Sequence, residues 1–256
     1  GELVRLEVSE SGFTVRLADL AEAQAHWASI MPPGPAQTPA RDLTVRGIQD
    51  LLDRDFTDIP SIGGKAAQFA ELYRITFPAG CSQVALVPDR AFAIPLAHYV
   101  DHFQASGAEA LLNAAMMDAR FESDALFRRA ALGSVRDAIN DHPVEPALLT
   151  SIEQAIRARW GGDRRVRLRS SSNTEDLAGF NGAGLYVSEA AQLSEDGTLA
   201  LALRTVWASL WSDRAHDERS FFRIDPTTVA MGVLVHAAFV SEEGSAIVVS
   251  RSLHDP

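Results

Sequence analysis

The sequence has almost no cysteine, no excess of positive charge and no long apolar run. Its single cysteine, Cys81, rules out a disulfide within the chain and fits a reducing compartment such as the cytoplasm. No apolar run reaches the roughly 20 residues of a membrane-spanning helix, and no secretory signal precedes the first strand-like residues. The formal net charge of −11 argues against nucleic acid as the main partner, because phosphate-backbone binding needs a positive surface.

The composition is that of an ordinary globular protein, with 46% apolar and 22% charged residues. Prolines between residues 32 and 39 mark a linker, which divides the chain into residues 1–41 and 42–256. The first part predicts a β-hairpin over residues 3–17 and a helix from Asp19 to Met31, either as the tail of an upstream module or as a lead-in that packs on the main domain. Because the chain lacks an initiator Met and ends just after a strand-like run, we expect a piece of a longer protein.

The second part alternates helical and strand-like patterns, which predicts an α/β fold. Helices are predicted over residues 42–52, 66–73, 95–140, 147–160 and 198–219. Strands are predicted over residues 83–86, 91–94, 165–169, 229–235 and 246–250, the last two as a hairpin.

Positive charge is concentrated just before the centre of a polar stretch. Arg165, Arg167 and Arg169 alternate with apolar residues, so a strand would place three guanidinium groups on one face. Each guanidinium is a planar fork of donors suited to phosphate oxygens. For Arg165 and Arg167 a solvated strand face is the simpler interpretation, whereas Arg169 leads directly into the serines that follow.

Small residues continue this stretch. The hydroxyls and N–H groups of Ser170, Ser171 and Ser172 are suited to an anion-binding cluster. Gly179, Gly182 and Gly184 permit close backbone approach. A surface loop rich in serine and glycine would have the same composition. Within it, Glu175 and Asp176 either orient the arginines, bind magnesium or remain solvated.

Two further cations are candidates for phosphate binding. Lys65 follows Gly63 and Gly64 at a predicted helix start, where free N–H groups and an ammonium can hold a phosphate. The full P-loop spacing is absent, so a helix cap with a solvated lysine is the alternative. Arg214 continues an apolar helix stripe, and we expect it to point inward, towards either a bound anion or the negative end of its helix. His98, His102 and His142 lack metal-ligand spacing.

Five segments in one order resemble a known family. They are IGGKAAQFAEL, VPDRAFAIPLAHY, RSSSNTEDLAGFNGAGLY, VWASLWSDRA and VAMGVLVHAAF, between about residues 60 and 250. They are similar to the nucleotide-binding domain of phosphoenolpyruvate synthase, pyruvate phosphate dikinase, glucan water dikinase and rifampin phosphotransferase.

The resemblance implies an ATP-grasp-like domain with mixed sheets and a helical insertion, incomplete at its C-terminal end. It implies ATP and Mg²⁺ as cofactors and phosphoryl transfer to a carrier histidine on a domain outside residues 1–256. The residues implied to bind ATP phosphates are Lys65, Arg169, Ser170, Ser171, Gly182 and Arg214. The adenine hinge would involve His236 and Ala238, although the family usually has Gln where this chain has His236, so a structural histidine is the alternative.

Three functions remain open at this point. The chain is the ATP-binding part of a dikinase-type phosphotransferase, a non-catalytic nucleotide-binding or regulatory module of the same fold, or a structural domain of a larger assembly. The isolated chain is not expected to turn over, since no segment matches the family's later magnesium-binding carboxylates, and no residue is assigned a catalytic role.

Overall fold

The structure is a computed structural model that describes residues 2–32, 35–76, 78, 80, 87–175, 177, 179, 180, 182 and 184–239. Cys81, Asp176 and the strands predicted over residues 83–86 and 246–250 lie outside the described residues. In the part that the structure describes, every helix is too short or too polar to cross a bilayer.

The chain begins with a hairpin and a helix, as the sequence predicts. Strands β1 (Val4–Ser9) and β2 (Gly12–Leu17) pair antiparallel, and helix α1 (Leu20–Ile30) follows. The side chain of Asp19 caps α1 by accepting a hydrogen bond from the N–H of Glu22. Residues 37–41 pack on the main body, where the N–H of Gln37 donates to the carbonyl of Arg223. The division at residue 41 remains a prediction.

A five-stranded sheet forms the centre of the molecule. Its strands are β3 (Gln49–Asp50), β4 (Phe92–Ile94), β5 (Val166–Ser172), β6 (Ser188–Ala191) and β7 (Met231–Ala237), in the order β3-β4-β7-β5-β6. All four pairings are antiparallel. The expected mixture of parallel and antiparallel strands is therefore not found in this sheet. Outside the sheet, Gln37 and Ile224 form an isolated parallel bridge.

Helices make up most of the rest, which confirms the α/β fold class. They are α2 (Ile59–Ile62), α3 (Gly64–Leu72), α4 (Leu96–Ala105), α5 (Ala108–Met116), α6 (Arg120–Ser123), α7 (Ala125–Asp141), α8 (Pro146–Trp160), α9 (Thr198–Ala208) and α10 (Asp213–Phe221). The helices α4 to α8 form the predicted helical segment between β4 and β5.

The helix predicted over residues 42–52 is wrong. This segment is extended and ends in β3 and a 3₁₀ turn. Asp42 accepts hydrogen bonds from the N–H and the hydroxyl of Thr44, a local turn that competes with a helix. Gly47 has a φ of 78°, which no helix residue adopts, and Gln49 pairs with Ala93 of β4.

The single helix predicted over residues 198–219 is divided into α9 and α10. Between them lie a 3₁₀ turn and Ser212, whose backbone is extended, with φ −63° and ψ 147°. The hydroxyl of Ser212 accepts from the N–H of Ala215 and so starts a new helix. Because the two helices do not share one continuous face, the apolar stripe of α9 does not predict which side chains of α10 are buried.

The two faces of the sheet have different neighbours. Val166 and Leu168 of β5 face the large core, which is completed by apolar side chains of α4, α5, α7, α8 and α9. On the other face, Leu234 of β7 packs with the small residues Ala66, Ala67 and Ala70 of α3. Helix α3 covers this second face next to the arginines of β5.

Two glycines allow the turn between α2 and α3 to lie directly against the sheet. A Cβ atom on Gly63 would be 1.8 Å from the carbonyl oxygen of Ser171, and one on Gly232 would be 2.6 Å from that of Ile62. No side chain fits at either position without moving a backbone segment. The Gly-Gly-Lys turn is therefore held at a fixed place beside β5.

Candidate functional site

The alternating arginines of β5 lie on one face, as predicted. Arg167 and Arg169 are exposed, whereas the alternating residues Val166 and Leu168 are fully buried. Together with Arg165 they line an open cavity of about 590 Å³, called here the arginine cavity. Its lining residues are Arg165, Arg167, Arg169, Ser188, Ala190, His236, Ala238 and Phe239.

His236 lies in the arginine cavity opposite Arg167 in the β5–β7 pairing. Its ring stacks on Phe69 of α3, with 6.2 Å between centroids and 9° between planes. Burial lowers the pKa of His236, and the charges of Arg169 and Arg167 lower it further, so the imidazole is neutral at pH 7. Nδ1 is 2.8 Å from the carbonyl oxygen of Ala237 and must donate to it. Nε2 is then an acceptor, and it has no hydrogen-bond partner among the described residues.

Ala238 also lines the cavity, but its backbone already takes part in hydrogen bonds within the protein. Its N–H donates to the carbonyl of Arg165 at 2.9 Å, and its own carbonyl accepts from the guanidinium of Arg164 at 3.3 Å. The hinge role implied for Ala238 therefore stays a prediction.

Lys65 lies in the first turn of α3 and is not among the residues that line the arginine cavity. Its ammonium pairs with the carboxylate of Glu175, whose side chain is 7% exposed, against 30% for Lys65. The neighbouring N–H of Ala66 donates to the hydroxyl of Ser171, two residues beyond Arg169 on the same face of β5. Lys65 and Arg169 thus lie on the same side of the sheet, with Arg169 at the middle of β5 and Lys65 beside the end of the strand that contains Ser171.

The serines expected to bind phosphate are buried inside the sheet. Ser170 and Ser171 are 1% and 0% exposed. The hydroxyl of Ser171 donates to the carbonyl of Ile62 and accepts from the N–H of Ala66, both at 2.9 Å. The physical reason is that β5 does not end at Arg169, because pairing with β7 continues to Ser172. The hydroxyl of Ser171 fastens the Gly-Gly-Lys turn to the sheet, and neither serine is open to a ligand.

The glycine-rich loop is close to Glu175. Gly182 is buried, and a Cβ atom there would be 3.2 Å from the Cγ of Glu175. Gly179 and Gly184 have φ angles of 77° and 74°. The small size of Gly182 thus lets this loop approach the carboxylate that holds Lys65, while its contact with phosphate remains a prediction.

Arg214 does not point inward as expected. It is exposed on α10 and lines a surface pocket with Trp27, Phe221 and acidic residues. The inward arginine of this helix is Arg219, which is 2% exposed. The serine at position 212 is the signal that could have shown this, because a serine before an acidic residue is a typical helix start and changes the helix phase.

The described residues do not fit a metal site held by the protein alone. They contain no group of three or more His, Cys, Asp and Glu side chains arranged around one point, and the carboxylate of Glu175 faces Lys65. His98, His102 and His142 do meet, around a second cavity of about 560 Å³ in the helical layer, with 5.2 Å between the rings of His102 and His142. The spacing of these three histidines in the sequence did not predict that they lie around one cavity.

The chain is similar to known proteins over most of its length. A model of the pyruvate phosphate dikinase AMP/ATP-binding domain matches residues 59–254. A rifampicin phosphotransferase from a Streptomyces species is 30% identical over 76% of this chain and 21% of its own length. Phosphoenolpyruvate synthases from Aeropyrum pernix and Pseudomonas aeruginosa are 28% and 29% identical over 77% and 74% of this chain and 23% of their own lengths.

The chain therefore spans less than a quarter of the length of these relatives. The match to the domain model nonetheless includes α2, α3, the arginine cavity and α10. By this match the chain belongs to the family of pyruvate phosphate dikinase AMP/ATP-binding domains.

Proposed function

We propose that this chain binds ATP, with the triphosphate held between Lys65 on α3 and Arg169 on β5. The observation that supports this most directly is the arginine cavity, which presents three guanidinium groups on one sheet face beside the Gly-Gly-Lys turn. Phosphoryl transfer leaves little covalent work to a protein and depends on positioning and charge neutralisation. Two fixed cations on rigid, adjoining elements meet that requirement.

The base would lie towards His236. His236 lines the arginine cavity, where its ring can pack against a base, whereas its unpartnered Nε2 is buried and is not open to a ligand. Phe69 stacks on the same ring and Phe239 borders the cavity, so the region is partly aromatic. The hinge contact of Ala238 belongs to the same proposal.

We also propose that the domain serves phosphoryl transfer in a longer protein, to a histidine on a domain outside residues 1–256. This part is supported by the identity of the relatives, which are a phosphotransferase and two synthases of phosphoenolpyruvate. Mg²⁺ is proposed only as the ion that accompanies ATP in solution, because Mg²⁺ commonly binds through phosphates and water with few carboxylates.

A second function is nucleotide binding without transfer, as a regulatory module. The observation that favours it is that Glu175 is engaged by Lys65 and that the described residues form no carboxylate cluster. If the whole protein that contains this domain binds ATP but neither hydrolyses it nor forms phosphohistidine, this second function is the correct one.

Isothermal titration with ATP and Mg²⁺ tests the binding proposal. Lys65→Ala and Arg169→Ala should each weaken ATP binding about tenfold or more, as expected when a charge-assisted hydrogen bond to phosphate is lost. Arg214→Ala should leave the affinity unchanged, since Arg214 is exposed away from the cavity. Arg120→Ala, which removes another exposed arginine, is the matched control for loss of positive charge. Equal affinities for all five proteins would refute the phosphate assignment.

A further inference from the structure

Arg219 is a buried cation whose hydrogen-bonding capacity is largely unused. It is 2% exposed, and its guanidinium lies over the ring of Trp211, 5.3 Å from the centroid. Its Nε and Nη2 atoms have no hydrogen-bond partner among the described residues. Burying a charge in this way is costly, so a role beyond packing is expected.

The guanidinium begins a chain of buried hydroxyl groups. Its Nη1 donates to the hydroxyl of Tyr186 at 3.4 Å, which lies 3.1 Å from the hydroxyl of Thr174. Thr174 in turn lies 2.8 Å from the hydroxyl of Ser172 at the end of β5. Ser172 also accepts from the N–H of Thr174, at 3.1 Å.

The arginine fixes the direction of the first hydrogen bond in this chain. A guanidinium can only donate, so the oxygen of Tyr186 accepts from Arg219. In the contacts of Thr174 with Tyr186 and with Ser172, either hydroxyl can be the donor. Because hydrogen-bonded groups in a connected chain polarise one another, the chain is stronger than its separate bonds.

The chain ends next to the residue that holds Lys65. Thr174 precedes Glu175, and the carboxylate of Glu175 pairs with the ammonium of Lys65. On the other side, Asn173 is fixed by hydrogen bonds from its side chain to the carbonyls of Ala40 and Thr228. The orientation of Glu175 therefore depends on a turn whose position is set by Asn173 on one side and by the hydroxyl chain on the other.

We propose that Arg219 is a positioning residue for the nucleotide site: through Tyr186 and Thr174 it fixes the turn that carries Glu175 and so sets the position of Lys65. This inference rests on the proposed function, since it assigns Arg219 to the same ATP site. It adds that a residue on α10, without contact to the arginine cavity, controls the strength of the lysine–phosphate contact.

The test combines Tyr186→Phe with Lys65→Ala and measures ATP affinity in a double-mutant cycle. Tyr186→Phe removes only the hydroxyl and should weaken ATP binding about three- to tenfold when Lys65 is present. In the Lys65→Ala protein the same substitution should change the affinity less than about twofold, because the contact it positions is already lost. Thr174→Val should weaken ATP binding as much as Tyr186→Phe does. Thr174→Ser keeps the hydroxyl and should bind ATP with the affinity of the unaltered chain.

Tyr99→Phe is the matched control. Tyr99 is buried, and its hydroxyl accepts a hydrogen bond at 2.8 Å from the indole N–H of Trp211, the same residue that lies under Arg219. Tyr99→Phe therefore removes a comparable buried hydrogen bond close to Arg219 and leaves the hydroxyl chain intact. We expect a similar fall in melting temperature for the two Phe variants, but a change in ATP affinity for Tyr186→Phe alone.

The outcomes separate this inference from the proposed function. If the unaltered chain does not bind ATP, the proposed function fails and the inference fails with it. If ATP binds and Lys65→Ala weakens binding, but Tyr186→Phe has the same effect in both backgrounds, no effect, or the same effect as Tyr99→Phe, the positioning role of Arg219 is refuted while the proposed function stands.

Discussion

Gly63 carries two separate constraints, an unusual backbone conformation and a lack of space for a side chain. Its φ and ψ angles are 81° and 166°, a region populated almost only by glycine. The carbonyl oxygen of Ser171 occupies the position of a Cβ atom. The two constraints can be separated, because Gly161 has nearly the same angles, 79° and 172°, with nothing within 4 Å of its Cβ position.

Gly63→Ala and Gly161→Ala should therefore differ in stability. Gly161→Ala carries only backbone strain and should lower the free energy of unfolding by about 1–3 kcal/mol. Gly63→Ala adds a clash with the backbone of β5 and should cost at least about 1–3 kcal/mol more, or prevent folding. Urea unfolding of both variants measures this difference. Equal losses would show that α2 and α3 move away from the sheet at little cost.

Individual residues also show what the sequence could predict. The prediction that Arg165, Arg167 and Arg169 lie on one face was correct, because the two-residue period of side chains is a local property of a strand. The burial of Ser170 and Ser171 could not be derived in the same way. It depends on pairing with β7, which lies some sixty residues further along the chain.

At the scale of elements, Ser171 joins three parts of the fold. Its hydroxyl links β5 to the carbonyl of Ile62 in α2 and to the N–H of Ala66 in α3. Neighbouring Ser170 is equally buried on the opposite face of the strand. The two serines were assigned one role from sequence, and the structure gives them different neighbours.

Ser171→Ala should lower the free energy of unfolding by about 1–3 kcal/mol, because a buried donor and a buried acceptor lose their partner. Ser170→Ala is the control of equal burial and should change stability by less than about 1 kcal/mol. Thermal and urea unfolding distinguish the two. A larger loss for Ser170→Ala would contradict the assignment of Ser171 as the residue that fastens α2 and α3 to β5.

The division between α9 and α10 shows why element boundaries limit sequence analysis. Hydrophobic periodicity correctly predicted that Leu203, Trp207 and Leu210 are buried, each 0% exposed. Extending the same stripe to Arg214 failed because Ser212 starts a second helix with its own phase. The hydrogen bond to the hydroxyl of Ser212 starts α10 with a new phase, and for this reason Arg214 is exposed and Arg219 is buried.

At the scale of the whole molecule, the order of the motifs was sufficient to identify the family, whereas the geometry of the site was not predictable. The arginine cavity combines β5 with residues near positions 188 and 236, and the Lys65–Glu175 pair joins residues 110 positions apart. Such contacts depend on sheet order, which local patterns do not determine. Four histidines that lie far apart in the sequence also share one property, a pKa that is lowered by burial.

Burial is the main cause of a lowered pKa for His98, His102, His216 and His236. An unfolded chain has histidine pKa values near 6.5. Well above pH 6.5 these residues are neutral in both states, so they add no pH dependence there. As the pH falls below about 6.5, the unfolded state binds protons that the folded state does not, and the free energy of unfolding must decrease.

We therefore expect the melting temperature to fall steadily between pH 6.5 and pH 5. The exposed carboxylates Glu22 and Asp118 do not contribute to this change between pH 6.5 and pH 5. Their pKa values are lowered to about 2 in the folded state, so they gain protons on unfolding only near pH 4 and below. His102→Gln, which keeps a donor for the carbonyl of Ile139, should reduce the slope by at most about 1.4 kcal/mol per pH unit. A melting temperature that stays constant over this range would mean that the buried imidazoles accept protons without disturbing the packing around them.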